Sequence, residues 1–212
     1  MEGADNAITP TASVGRVKDR PVIAFSDGAC TLNGRPGARA SFAALVTGGD
    51  ALIVRGVVCP AEYAFIDESA PERGIQATQT PATPSNNRGE LLGIIYAFLT
   101  LLHGAAEGDV ELVSDSAVSL NTLLVWLPDR LKKNTERKLK NFDLVMIAWR
   151  LLGQLRGRAA SVTLTHTRSH QKPPPATAGV RERFIHRGNA IADEHATLAL
   201  KNEGYGVEVL NA

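Results

Sequence analysis

The order of strand-like and helical segments is the feature that most restricts the fold of this 212-residue chain. Three strand-like segments follow one another between residues 22 and 59, separated by the turn sequences Asn33–Gly37 and Gly48-Gly49-Asp50. After residue 86 the pattern continues as helix, strand, helix, helix, strand and helix. Hairpin-linked strands followed by strand–helix alternation predict a mixed sheet of five strands, three antiparallel and then parallel, flanked by helices.

The periodicity also predicts approximate bounds and one domain with additions. The predicted strands are 22–25, 38–47, 51–59, 109–114 and 161–167, and the predicted helices are 87–102, 116–127, 144–155 and 190–200. We expect residues 1–19 to be a disordered tail. The remaining residues 20–212 form one domain with inserted loops near 60–84 and 171–185, both rich in proline.

Composition excludes some classes of function. Hydrophobic residues make up 44% and charged residues 21%, as in ordinary globular proteins. The net charge of +1 provides no overall basic field, so any contact with nucleic acid must depend on local clusters. Two cysteines form neither a disulfide framework nor a zinc pattern. Because apolar stretches long enough for a membrane span and a signal-like start are both missing, we expect a soluble, intracellular protein.

Four acidic residues lie at the ends or edges of segments that should pack, namely Asp27, Glu90, Asp115 and Asp193. A carboxylate beside an apolar run costs free energy unless a cation pairs with it, so four that converge would favour a site for two Mg²⁺ ions. Each also has an individual interpretation that needs no metal. Asp27 fits a turn, Asp115 a helix cap and Asp193 a solvated helix face. Asn87 and Glu90 fit a capping box.

Gly89 is not explained by a capping box. A glycine in the first turn of a helix costs roughly 0.5–1 kcal/mol relative to alanine. Its presence between Arg88 and Glu90 therefore indicates close approach, either by another backbone or by a nucleic-acid strand.

The segments FSDGAC, NNRGEL, VSDS and HRGNAIADEHA together resemble the type 1 ribonuclease H family over about residues 21–209. The resemblance implies a ribonuclease H-like fold and places the four catalytic, metal-binding carboxylates of the family at Asp27, Glu90, Asp115 and Asp193. It also implies a basic protrusion near 128–141. The element order predicted above agrees with this fold independently of the motifs.

The resemblance further implies a set of residues that bind substrate. Amides near the first strand and first helix would contact the minor groove and the RNA 2′-hydroxyl, since an amide both donates and accepts. Lysines of the protrusion would contact phosphates. The implied substrate-binding residues are Asn33, Asn86, Asn87, Arg88, Lys132, Lys133, Lys138, Lys140 and Asn189.

The chain also departs from the family pattern. Ala117 stands where some members carry a substrate-contacting glutamine. The loop before the last helix is expanded, and it leaves two candidates for the mobile histidine of the family. His170 follows the last strand directly and is favoured, while His186 is the alternative. The other histidines, His103, His166 and His195, are interpreted as structural or incidental.

The implied activity is hydrolysis of the RNA strand of an RNA/DNA hybrid by a monomer, with two Mg²⁺ ions as cofactors and Mn²⁺ as a substitute. Asp27 would bridge both ions, Glu90 and Asp115 would complete one site, and Asp193 would complete the other. Two alternatives stay open. One is a junction resolvase or exonuclease of a related fold, and the other is a catalytically silent hybrid-binding domain.

Overall fold

The sheet is built around β1 (Val22–Thr31). This strand pairs in parallel with β4 (Asp109–Ser114) on one side and antiparallel with β2 (Arg39–Val46) on the other. The computed structural model describes residues 21–48, 50–58, 83–104, 107–202 and 206–210. The other strands and the helices are β3 (Ala51–Val57), β5 (Ser161–His166), β6 (Gly206–Leu210), α1 (Asn86–His103), α2 (Ala117–Asn121), α3 (Leu127–Lys132), α4 (Phe142–Arg158) and α5 (Val180–Asn202). No helix within those ranges is long and apolar enough to cross a membrane.

The strand order β5-β4-β1-β2-β3-β6 confirms the mixed sheet and corrects its size. The predicted hairpins are antiparallel, and β4 and β5 pair in parallel as expected. The predicted five strands become six because β6, which follows the last predicted helix, pairs antiparallel with β3. This pairing joins residues about 150 positions apart, such as Val54 and Val207, so local periodicity gives no sign of it.

Alternate residues of β1 enter two hydrophobic cores on opposite faces of the sheet. Ala24 contributes to the larger core, which includes Phe98 of α1 and Leu152 of α4. Phe25 contributes to the smaller core, where Ala192 of α5 packs. The central strand is therefore buried on both sides, which explains its uninterrupted apolar run.

The start of α1 differs from the predicted capping box. Ser85, in extended conformation (φ −151°), is the cap, and its hydroxyl accepts a hydrogen bond from the amide of Arg88. Glu90 is five residues beyond this cap, so its carboxylate does not return to the cap backbone. It accepts instead from Nδ2 of Asn86 at 3.2 Å. The helical start therefore leaves Glu90 directed elsewhere.

The helix after β4 does not end at Pro128 as predicted. A π-helical turn, Thr122–Trp126, separates α2 from α3, and Pro128 lies in the first turn of α3. Proline lacks an amide hydrogen and crowds the carbonyl four residues earlier, so a wider turn just before it lets the helix continue. The region near 128–141, for which a basic protrusion is predicted, is consequently helical in part, through α3 and the 3₁₀ turn Glu136–Lys138.

The last helix begins ten residues earlier than the predicted Ala190, at Val180, so residues 180–185 are helical and the loop before them is shorter than predicted. Two contacts with the sheet hold this extension. Arg181 binds Glu111 of β4, and the ring of Phe184 packs against Phe25 with centroids 5.7 Å apart. The other predicted loop and the predicted tail fall largely on residues 59–82 and 1–20, which lie outside the described residues.

Candidate active site

Three of the four predicted carboxylates meet at one point. Oxygens of Asp27, Glu90 and Asp115 all lie within 4.8 Å of one another. The parallel ladder of β1 and β4 ends at the pair Ser26 and Ser114, and each strand has its aspartate next in sequence. Glu90 approaches from α1, which packs on β1 and β2. The sheet register thus determines the positions of two of the three carboxylates, and the packing of α1 determines the position of the third.

Glycines bring α1 close enough for this convergence. A Cβ on Gly28 would lie 2.6 Å from the carbonyl carbon of Gly89, and one on Gly89 would overlap the carbonyl oxygen of Ser41. One turn later, a Cβ on Gly93 would lie 2.9 Å from the carbonyl oxygens of Ala43 and Asp27. Of the two explanations offered for Gly89, the structure therefore supports close approach by another backbone.

Burial makes this cluster electrostatically costly in the absence of a cation. Desolvation, and secondarily the charge of Asp115, raises the pKa of Asp27 to about 8. Desolvation together with the charges of Asp27 and Asp115 raises the pKa of Glu90 to about 9. The pKa of Asp115 is also raised, first by burial. Oε2 of Glu90 is buried and has no hydrogen-bond partner among the described residues, so this oxygen is free to act as a ligand.

Asp193 lies at the edge of this cluster and is more exposed. Its side chain is 42% exposed, whereas Asp27 is 4% and Glu90 6% exposed. Its charge nevertheless raises the pKa of all three other carboxyl groups. The position of α5 depends on Gly188, where a Cβ would overlap the ring of Phe25, two residues before Asp27. This contact was not predicted from the sequence, where Gly188 stands two residues before the predicted helix 190–200.

The two candidate histidines occupy different places. His170 lies in the loop after β5, with Nδ1 3.9 Å from Oδ2 of Asp193 and its side chain 80% exposed. His186 lies on α5, and its Nε2 is 2.9 Å from the carbonyl oxygen of Gln171. His170 lines the cleft above the carboxylates, a space of about 540 Å³. His166, predicted to be incidental, lies with Nε2 3.2 Å from the carbonyl oxygen of Asp115.

The predicted amides lie beside the cleft. Oδ1 of Asn33 accepts from the backbone amide of Asn86 at 3.2 Å, which links the loop after β1 to the start of α1. Asn86 and Asn87 line the cleft, and Asn87 is exposed. Asn189 lines a neighbouring recess of about 790 Å³ on the α5 side, where its Oδ1 is buried without a partner.

Arg88, predicted to bind substrate, lies in a different environment. It is 5% exposed, and its guanidinium binds both carboxylate oxygens of Asp143, at 3.0 and 2.6 Å. It also donates to Oδ1 of Asn141 at 3.4 Å. Because its donors are directed at these partners, the structure gives Arg88 a role in joining α1 to α4. Its contact with substrate stays a prediction.

The predicted lysines are exposed and do not line the cleft. Lys132 and Lys133 are at the end of α3, and Lys133 pairs with Asp129 at 2.9 Å. Lys138 ends the 3₁₀ turn, and Lys140 lies between that turn and α4. They form a surface separate from the carboxylates, which we call the basic segment (residues 128–141).

Comparison with known proteins identifies the fold and the family. LC9-RNase H1, described as a type 1 RNase H with the type 2 active-site motif, is 20% identical with a TM-score of 0.58, over 90% of this chain and 77% of that chain. The N-terminal RNase H domain of Rv2228c from Mycobacterium tuberculosis is 14% identical with a TM-score of 0.50, over 86% of this chain and 96% of that chain.

A third structure is the foamy viral protease-reverse transcriptase in complex with an RNA/DNA hybrid. It is 13% identical with a TM-score of 0.53, over 92% of this chain and 23% of that chain. At such low identities, the structural similarity of these proteins to the chain shows a shared fold. No curated protein sequence matches the chain at a significant level. The family model for RNase H, however, matches residues 19–201. Because this match spans most of the 212 residues, the chain belongs to the RNase H family of nucleases.

Proposed function

We propose that the protein hydrolyses the RNA strand of RNA/DNA hybrids and leaves 5′-phosphate and 3′-hydroxyl ends. The observation that carries this proposal is the meeting of Asp27, Glu90 and Asp115 within 4.8 Å although Asp27 and Glu90 are buried. Carboxylates packed in this way repel one another, and this repulsion lowers the stability of the folded state. A cluster that costs stability favours a functional explanation.

The residues fit divalent cations. All the donors are carboxylate oxygens, which suit Mg²⁺ or Mn²⁺, and Oε2 of Glu90 is buried without a partner. Asp27 would contact two ions, Glu90 and Asp115 would complete one site, and Asp193 would hold the second. When bound, two such ions supply positive charge at the scissile phosphate and lower the pKa of an attacking water.

Other side chains would select and place the substrate. Asn86 and Asn87 line the cleft, and Asn33 accepts a hydrogen bond from the backbone amide of Asn86. These three side chains would contact the minor groove, where a 2′-hydroxyl distinguishes RNA from DNA. The basic segment would hold phosphates further along the duplex. His170, exposed beside Asp193, would transfer a proton or help the product leave. Since one chain provides all these groups, a monomer would be sufficient.

The substrate class can be tested with end-labelled duplexes. With Mg²⁺, we expect cleavage of the RNA strand in an RNA/DNA hybrid and none in duplex RNA or duplex DNA. The product ends would be identified by ligation, which requires a 5′-phosphate. Asp115→Asn should remove cleavage while hybrid binding persists, and Asp50→Asn, at an exposed turn carboxylate, is the matched control. Equal cleavage of all three duplexes would refute the proposed specificity.

A further inference from the structure

The first two turns of α5 are attached to the strands that carry Asp27 and Asp115. Arg181 donates to both carboxylate oxygens of Glu111 on β4, at 2.7 and 2.8 Å, and Thr165 donates to the same carboxylate at 2.6 Å. Phe184 packs on Phe25 of β1. Glu111 is 7% exposed, so its ion pair is shielded from solvent on one side. Residues 180–187 are therefore a fixed support beside the active site.

The side chain of His186, which belongs to this support, contacts the loop between β5 and α5. At the start of the loop, the amide of Thr167 donates to the carbonyl of Ser114 at 3.0 Å. Three residues later His170 adopts a left-handed conformation, with φ of 50°. Gln171 follows, and its carbonyl oxygen lies 2.9 Å from Nε2 of His186. The loop is thus held immediately after His170.

The direction of this hydrogen bond follows from its chemistry. A carbonyl oxygen only accepts, so Nε2 of His186 must carry a hydrogen and donate. A left-handed backbone is uncommon for a residue other than glycine or asparagine and persists where the surroundings hold it. The contact at Gln171 is such a restraint, since it fixes the peptide group directly after His170.

We propose that His186 is a positioning residue that, through the carbonyl of Gln171, holds the loop so that His170 stays beside Asp193. The inference depends on the proposed function only for its kinetic consequence. The sequence presents His170 and His186 as alternatives for one role, and the geometry points to two roles. His170 faces the cleft, while His186 contacts the loop from the α5 side.

Substitutions at His186 separate positioning from simple loss of structure. We expect His186→Ala to lower kcat about fivefold with KM for the hybrid nearly unchanged, as for the loss of one hydrogen bond. His186→Gln keeps a donor at the position of Nε2 and should restore most of the rate. His186→Asn, whose donor is shorter, should not. His103→Ala removes an exposed imidazole from α1 and is the control.

A double-mutant cycle then tests whether His186 acts through His170. In a His170→Ala background, His186→Ala should cause little further loss, because the group being positioned is already absent. Independent, multiplicative losses would overturn the proposal, and so would a failure of His186→Gln to restore the rate.

A readout without catalysis keeps this test distinct from that of the proposed function. Backbone ¹⁵N order parameters should show the amides of His170 and Gln171 as ordered in the wild type and in His186→Gln, and as mobile in His186→Ala. Identical order in all three would overturn the proposal even if hybrids are cleaved. Conversely, the order parameters would still report the restraint if hybrids are not cleaved.

Discussion

The two sides of the active site are built differently. On the sheet side, Asp27, Glu90 and Asp115 come from strands and a helix whose backbones meet at glycines, and Asp27 and Glu90 are almost fully buried. On the α5 side, Asp193 and His170 are 42% and 80% exposed, and hydrogen bonds from single side chains hold the loop. The sheet side is therefore fixed by backbone packing, whereas the loop that carries His170 on the α5 side is held at Gln171 by a side-chain hydrogen bond that one substitution removes.

This difference predicts unequal sensitivity. A change on the sheet side must move a strand or a helix, which couples stability to activity. A change at Asp193, or in the loop that carries His170, alters the placement of a solvated group and leaves the fold intact. The following substitutions test that contrast.

Among the substitutions that leave Asp27, Glu90 and Asp115 in place, Gly89→Ala should have the largest effect. Its Cβ would overlap the carbonyl oxygen of Ser41, so α1 must move away from β2 and take Glu90 with it. Overpacking of this kind costs about 1–3 kcal/mol in the free energy of unfolding. A displacement of about 1 Å at the reacting groups costs on the order of 100-fold in kcat.

Gly153→Ala in α4 is the matched control, since nothing lies within 4 Å of its Cβ position. It should stabilise the protein by roughly 0.5–1 kcal/mol without changing kcat. Urea denaturation and hybrid cleavage measure both quantities. If Gly89→Ala behaved like Gly153→Ala, the close packing would not be what places Glu90.

Asp193→Asn should have a smaller effect on activity and almost none on stability. Its carboxylate is 42% exposed, so water can replace part of its function, and we expect kcat to fall about tenfold. Glu194→Gln, at the next and exposed position of the same helix, is the control and should retain full activity. A loss as complete as that of Asp115→Asn would show that the two sides are equally essential.

Stability should depend on pH through the sheet side. The pKa of Asp27 is raised from 3.8 to about 8 and that of Glu90 from 4.5 to about 9. A raised acid pKa means that the folded state binds more protons. The contribution of these groups to stability is therefore present below about pH 4 and is lost as the pH rises through 8 to 9.

Without metal, the melting temperature should consequently fall by several degrees between pH 5 and 9, and Asp27→Asn should reduce that slope. Added Mg²⁺ should raise the melting temperature most at the alkaline end, where protons no longer compete. Asp50→Asn should leave the slope unchanged. If the melting temperature of Asp27→Asn fell with pH as steeply as that of the wild type, the burial of the Asp27 carboxyl group would not be the cause of the pH dependence.

The basic segment should give the smallest effect on kcat. Lys138→Ala combined with Lys140→Ala should raise KM a few-fold and reduce the salt dependence of binding by about one phosphate contact for each lysine. Lys201→Ala, at the exposed end of α5, is the control. Fluorescence anisotropy of a labelled hybrid at several salt concentrations measures this change. An unchanged salt slope would mean that the segment does not contact phosphate.

The meeting of the carboxylates on the sheet side could be predicted because the sequence patterns that place Asp27 and Asp115 are local. Asp27 and Asp115 each follow an apolar strand, and the first three strands are joined by recognisable turns. Parallel pairing of β1 with β4 then places the two aspartates side by side. The glycine at position 89 indicated close approach, and the structure identified the neighbour.

The α5 side was harder to predict because long-range contacts define it. Residues 180–185 follow a proline-rich stretch and carry several charges, so their pattern alone favours a loop. Arg181 and Phe184 hold them in a helix through Glu111 and Phe25, which are remote in sequence. The ion pair of Arg88 with Asp143 could not be predicted for a similar reason, since the two residues are 55 positions apart.

The metal site that we propose for cleavage of the RNA strand of a hybrid is built from the buried carboxylates of Asp27 and Glu90 and the half-buried carboxylate of Asp115. Its most direct test is the rate of hybrid cleavage by the wild type and by Asp27→Asn, each with Mg²⁺ and with EDTA. We expect cleavage only by the wild type with Mg²⁺, and a loss on the order of 1000-fold or more in Asp27→Asn. Full activity in Asp27→Asn, or wild-type cleavage that persists in EDTA, would contradict it.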